Sequence, residues 1–281
     1  MNRAEGVFTG EQGIKIFYRS WLPENSMQAV LQIVHGFGEH GDRYMNLVEK
    51  LLPRGFGVFC HDHRGHGKSS GPRTHVDSFV DFIKDTRNFY ARIIAPQVQD
   101  SPVFLLGHSM GSIVALNYLA HDQENYRGAI LSGTGYEARS SPVMILLVRI
   151  LSALFPRGRF SFPLPPAFIS RDQEVVKEYS RDPLVEKKLS FRLAAEIFEW
   201  LRRGGAAAEK IEIPVFLQCG REDQSFKGEQ VLLHRLGSED KILQVYPELY
   251  HEIYNELPED REKVLGDLLN WLEERLKKNG Q

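Results

Sequence analysis

Apolar residues gather in short, nearly continuous runs at positions 14–18, 29–34, 57–61, 103–106, 128–131, 214–219 and 241–246. Runs without polar alternation mark strands buried on both faces, as in a parallel sheet covered by helices. Between them the pattern changes to helical spacing, over 44–52, 76–94, 111–121, 228–236 and 260–278. Strand alternating with helix predicts an α/β fold with a mostly parallel central sheet flanked by helices. One stretch breaks the alternation: between 131 and 214 there is no convincing strand. It opens on Ser140-Ser141-Pro142 and a very apolar helix over 143–155, then passes Phe162-Pro163-Leu164-Pro165-Pro166. It closes with a helical pattern over 190–203 and then Gly204-Gly205. The expected division is a core over 1–134, an inserted, mostly helical cap over 135–207, and the rest of the core over 208–281.

The helix over 143–155 is apolar nearly all round, which suits full burial or a greasy partner. Two readings follow. Either it packs on the core, or one side lines an acyl tunnel while the other meets a lipid surface. At 13 residues it falls short of the ~20 that cross a bilayer. No apolar stretch follows Met1-Asn2-Arg3-Ala4-Glu5-Gly6, so no signal peptide is expected, and a soluble, cytoplasmic protein is. Basic residues number 35 and acidic residues 37, a net charge of −2 that argues against a nucleic-acid partner. Cys60 and Cys219 both sit in strand-like runs and read as buried thiols.

The most informative string is Val103-Phe104-Leu105-Leu106-Gly107-His108-Ser109-Met110-Gly111-Ser112. An apolar strand leads into G-x-S-x-G and then a helix. That spacing suits a nucleophile on a sharp strand-to-helix turn, with glycines where the chain packs closest. Ser109 is the candidate nucleophile. Met110 opens the helix, so its N–H is available to a developing oxyanion. A serine hydroxyl needs a base. Behind such an elbow the acid and then the histidine follow on later loops. Asp223, in Gly220-Arg221-Glu222-Asp223, and His251, in Leu249-Tyr250-His251, fill those places; Glu222 is the competing acid. His234 falls in a helical stretch and reads as a surface residue. The second oxyanion donor belongs to the loop His35-Gly36-Phe37-Gly38-Glu39-His40-Gly41, and Phe37 N–H is the candidate. The string His61-Asp62-His63-Arg64-Gly65-His66 looks like a metal site, but Gly65 stands where such a string needs Asp, and buried hydrogen bonds supporting a loop are the better reading. No metal or organic cofactor is expected.

Taken together, the chain resembles the α/β-hydrolase superfamily, in particular its monoacylglycerol lipase and lysophospholipase branch of capped serine hydrolases. The resemblance rests on His35-Gly36-Phe37-Gly38-Glu39-His40 with Arg43-Tyr44, on His61 to Ser69, and on the Ser109 elbow. It rests also on Tyr179-Ser180-Arg181-Asp182-Pro183, on Gly220 to Asp223, and on Tyr250-His251-Glu252-Ile253-Tyr254-Asn255-Glu256. It implies an α/β-hydrolase fold, a Ser109–Asp223–His251 triad, and cleavage of monoacylglycerol to fatty acid and glycerol through an acyl-enzyme. Lysophospholipase or broad carboxylesterase activity is the alternative. A small lipid ester is the implied partner, with transient membrane contact through the cap. By position, Glu39, Arg43 and Tyr179 would line a glycerol pocket. Tyr254 stands where relatives can carry histidine. A loop salt bridge between Glu39 and Arg43, and simple packing of Tyr179, are the competing readings. Ser112 replaces a frequent second glycine, for which only a packing change is expected.

Overall fold

The structure, a computed structural model, describes residues 2–98, 101–161 and 165–277. In chain order the chain forms β1 (Asn2–Thr9), β2 (Lys15–Leu22), β3 (Ala29–Val34), α1 (Met45–Leu51) and β4 (Phe56–His61). Next come α2 (Val80–Phe89), α3 (Ala95–Val98), β5 (Val103–His108), α4 (Met110–Asp122) and β6 (Gly128–Ser132). The stretch that follows holds β7 (Glu137–Ala138), α5 (Pro142–Leu154), β8 (Arg159–Ser161), α6 (Gln173–Arg181), β9 (Lys188–Ser190) and α7 (Phe191–Ala208). The chain then returns through β10 (Val215–Gly220), β11 (Phe226–Lys227), α8 (Glu229–Arg235), β12 (Lys241–Tyr246) and α9 (Pro258–Lys277).

Eight strands form one sheet in the order β1-β2-β4-β3-β5-β6-β10-β12. The β1/β2 and β2/β4 pairs are antiparallel and the remainder parallel. The uninterrupted apolar runs have a direct cause. Val30, Val34, Leu105 and Leu217 point to one face, under α2, α4 and α7. Leu31, Ile33, Phe104 and Phe216 point to the other, under α1 and α9. Both faces are buried, so neither parity is polar.

The observed elements depart from expectation in places that have physical reasons. β1 was not expected: all its residues but Phe8 are exposed or half-buried, and it pairs with β2 at the edge of the sheet. The helix expected over 76–94 begins only at Val80 and becomes a π-turn over Tyr90–Ile94. Pro96 follows at once, without the N–H that an α-helix needs there. Gly204-Gly205 does not end the helical pattern expected over 190–203. α7 runs through both glycines to Ala208, because a Cβ on Gly205 would lie 2.8 Å from the Tyr136 ring, so glycine permits the helix its close approach. Within the long stretch from β6 to β10, β7 pairs with β11 and β8 with β9, as two short ribbons outside the main sheet. Residues 162–164 of the proline-rich string, and position 278 of the last helix, lie outside the described residues. Both cysteines are buried and free.

The very apolar helix does not pack fully on the core, the first of its two expected places. In α5 only Val148 and Ser152 are buried. Val143, Leu146 and Leu154 are each at least 60% exposed, and Leu147 and Ile150 about half exposed. Among the described residues no helix is long and apolar enough to cross a membrane.

Candidate active site

β5 delivers Ser109 at its carboxyl end, and α4 begins at the next residue. Ser109 has φ 54°, a strained conformation for a residue with a side chain, as a nucleophile elbow requires. The turn is locked from several sides. Ser109 N donates to Ser132 O at 2.9 Å on neighbouring β6, and Ser112 Oγ donates to Ser109 O at 2.6 Å. Ser112 Oγ also shares a hydrogen bond with Thr134 Oγ1 at 2.8 Å, so Ser112 does more than alter packing: it ties the elbow to the loop after β6. A Cβ on Gly107 would lie 2.6 Å from Gly111 O. Gly111 packs against the carbonyls of Val34 and His35 at the end of β3.

The loops after β10 and β12 bring Asp223 and His251 to this turn. His251 Nε2 lies 2.8 Å from Ser109 Oγ, and His251 Nδ1 lies 2.7 Å from Asp223 Oδ2. All three side chains are buried. Burial works against the imidazolium, but the facing Asp223 carboxylate outweighs it, and the His251 pKa lies above its ordinary value. For Asp223 burial acts upward; His251 and the Ser225 N–H, 2.7 Å from Oδ1, hold its carboxyl below the usual range. Glu222 faces solvent, as does His234 on α8.

Phe37 and Gly36 line a cavity over Ser109 together with Glu39, Tyr179, His251 and Glu252. Its volume is about 20 Å³, room for about one water. Met110 is buried at the start of α4, where the N–H has no carbonyl within the helix. His35 Nδ1 lies 2.8 Å from Gly36 O, the carbonyl of the peptide whose N–H is that of Phe37. His63 N donates to His35 Nε2 at 2.8 Å, which leaves Nδ1 to carry the proton and donate to Gly36 O. Histidines of the metal-like string thus brace this loop; His63 Nε2 also lies 2.9 Å from His35 O.

The residues expected to form a head-group pocket divide. Glu39 and Tyr179 line the cavity. Arg43 sits behind them, 3.5 Å from Glu39 and ion-paired with Glu252, with its guanidinium 4.8 Å from the centre of the Tyr179 ring. The pocket and salt-bridge readings therefore describe one cluster. Tyr254 is a correction. It packs in the core under the sheet, and its hydroxyl donates to Gln218 Oε1 at 2.8 Å, so it does not line the cavity. The 3₁₀ turn over Ile253–Asn255 carries its ring to the core side, while Glu252 faces the site. Sequence reasoning missed Glu252, although it is an acid directly after the candidate base. Burial first, and then the Glu252 charge, push the Glu39 pKa up to about 7 against the pull of Arg43.

A larger groove of about 350 Å³ lies between Tyr136, α5 and α7, lined by Ile145, Phe198 and Leu201. It includes neither Ser109 nor His251, and no α5 residue lines the cavity over Ser109.

The family model described as "Serine aminopeptidase, S33" matches residues 25–258. The chain belongs to this α/β-hydrolase family. The hydrolase is 34% identical over 275 residues to a monoacylglycerol lipase of Mycolicibacterium smegmatis, covering 96% of this chain and 97% of that one. It is 30% identical to monoglyceride lipase of Homo sapiens, covering 94% and 88%. It is also 30% identical to phospholipase YtpA of Bacillus subtilis, covering 81% and 89%. Among solved structures it superposes on monoacylglycerol lipase of Paleococcus ferrophilus with a TM-score of 0.81 at 29% identity, covering 98% and 100%.

Proposed function

We infer that this hydrolase is a carboxylic ester hydrolase that cleaves monoacylglycerols to fatty acid and glycerol, with Ser109, His251 and Asp223 as its triad. The unbroken hydrogen-bonded chain from Ser109 Oγ through His251 to Asp223, set on a strained elbow, carries the reading. Ser109 attacks the ester carbonyl while His251 takes its proton, and Asp223 holds the imidazole with its proton on Nδ1. The N–H groups of Phe37 and Met110 stabilise the oxyanion. His251 then protonates the leaving glycerol, and water releases the fatty acid from the acyl-enzyme. Glu39 and Tyr179 face the alcohol side of the cavity, with Arg43 behind.

Residues 135–207 serve as a cap. Ile169 and Tyr179 of this stretch lie over the site. The cavity over Ser109 is smaller than an acyl chain. The exposed apolar face of α5 suits transient contact with a lipid surface by an otherwise cytoplasmic protein. The decisive experiment is labelling by a fluorophosphonate probe, joined to product release from matched monoacylglycerols, lysophosphatidylcholines, a triacylglycerol and leucine 4-nitroanilide. Ser109→Ala is the blank, expected to lose ~10³-fold or more in kcat. An unlabelled protein, or Ser109→Ala with most of the activity, would overturn the reading. Cleavage of the anilide in preference to every ester would make it a peptidase.

A further inference from the structure

We propose that Glu252 sets the head-group selectivity of this site, refusing a phosphate on the glycerol in favour of the neutral glycerol ester. The inference rests on the esterase reading above. Glu252 is buried, directly follows His251, and shares the cavity over Ser109 with Glu39 and Tyr179. Its carboxylate is held by Arg43 and by Asn255 Nδ2 at 2.9 Å.

The charges around the cavity do not balance in favour of an anion. Two carboxylates, Glu39 and Glu252, share the single guanidinium of Arg43. Arg43 donates to Glu252 through Nη2, turns Nε toward Glu39, and lies against the Tyr179 ring. It cannot turn to a phosphate without leaving those partners. Among the described residues that line the cavity there is neither lysine nor arginine. His251 is committed to Asp223, and burial holds His108 neutral, with the His251 charge adding to the effect. Burial and then the Glu252 charge raise the Glu39 pKa, as two acids facing one guanidinium would. A neutral glycerol brings hydroxyls, which donate to carboxylates. A phosphate monoester brings about −1.5 to −2 charge at neutral pH. Placed in a water-poor cavity beside Glu252, where no Lys or Arg among the described lining residues is free to meet it, it is disfavoured by roughly 10–100-fold.

The test compares hexanoylglycerol with hexanoylglycerol 3-phosphate, short enough to be used as monomers, so that only the head differs. Wild type should favour the neutral ester in kcat/KM, and Glu252→Gln should narrow that ratio by about ten-fold. A ratio unmoved in Glu252→Gln while both esters turn over, or a wild type that prefers the phosphate ester, would overturn the assignment. A second measurement needs no variant: competition against 4-nitrophenyl butyrate hydrolysis by wild type. Glycerol should inhibit at lower concentration than glycerol 3-phosphate; the reverse order, or equal potency, would overturn it. Fluorophosphonate labelling of the same protein separates the two readings. Labelling with an unmoved ratio refutes only the role of Glu252, whereas absence of labelling and of butyrate turnover refutes the esterase reading as well.

Discussion

Replacing Gly111 by alanine probes how closely α4 must approach β3. A Cβ there would lie 2.5 Å from His35 O and closer still to Val34 O, whereas real Cβ contacts essentially never fall below 3.0 Å. Both obstacles are backbone, and β3 is fixed between β4 and β5. The start of α4 must therefore retreat by about 1 Å to clear Val34 O. That retreat has a specific chemical consequence. Ser109 and the Met110 N–H travel with α4, while the Phe37 N–H belongs to the loop after β3. The retreat pulls apart the two donors proposed to hold one oxyanion. Misplacement of about 1 Å costs ~10²-fold, and loss of one oxyanion donor ~10²–10³-fold. The expected result is a loss of about 100-fold in kcat with little change in KM, and a stability loss of about 1–3 kcal/mol. Steady-state kinetics on 4-nitrophenyl butyrate and the urea midpoint measure the two effects. Gly266→Ala in α9 is the control. Nothing lies within 4 Å of its Cβ, so kinetics should be unchanged and stability higher by up to about 1 kcal/mol. Gly111→Ala with a kcat close to wild type would refute the argument that close approach sets the oxyanion geometry.

Three further outcomes are expected. The base form of His251 is the active one and its pKa is raised, so kcat/KM should rise with pH through a midpoint above 6.5; a midpoint below 6.5 would contradict the pairing with Asp223. His61, with neither ring nitrogen hydrogen-bonded among the described residues, is held by burial to a pKa of about 4, so the unfolded chain binds its proton first as pH falls from 6.5. Stability should then drop over pH 6.5 to 4 by about 1.4 kcal/mol per unit for this residue, and His61→Phe, which keeps a ring against Phe89, should show a shallower fall in urea midpoints; an unchanged slope would count against it. Leu146→Ser with Ile150→Ser on the exposed face of α5 should slow hydrolysis of vesicle-borne monoacylglycerol while sparing 4-nitrophenyl butyrate, and equal effects on both would remove the lipid-contact role.

The burial pattern of the sheet was readable because a strand covered on both faces cannot alternate, and the chain's apolar runs match β3 to β6 and β10 within a residue or two. β1 was not readable, because an exposed edge strand is selected by pairing rather than by hydrophobicity. The elbow was readable for a different reason. A sharp strand-to-helix turn needs small residues at fixed spacing, so Gly107, Ser109 and Gly111 reveal the geometry locally. Asp223 and His251 were found because the order of loops along a parallel sheet constrains which acid and histidine can meet Ser109. The alcohol side resisted such reasoning. Tyr254 and Glu252 stand two residues apart, yet a 3₁₀ turn sends one into the core and the other into the cavity. α5 shows the same limit, since a helix apolar nearly all round has no preferred face in sequence and only its neighbours decide what it covers. The layered α/β core and the nucleophile turn can be read from the residues alone, because both are written in local periodicity and local sterics. Which charged groups share the site depends on long-range packing, because Glu39, Arg43 and Glu252 come together across more than 200 residues of chain, and their balance depends on burial as well as on identity.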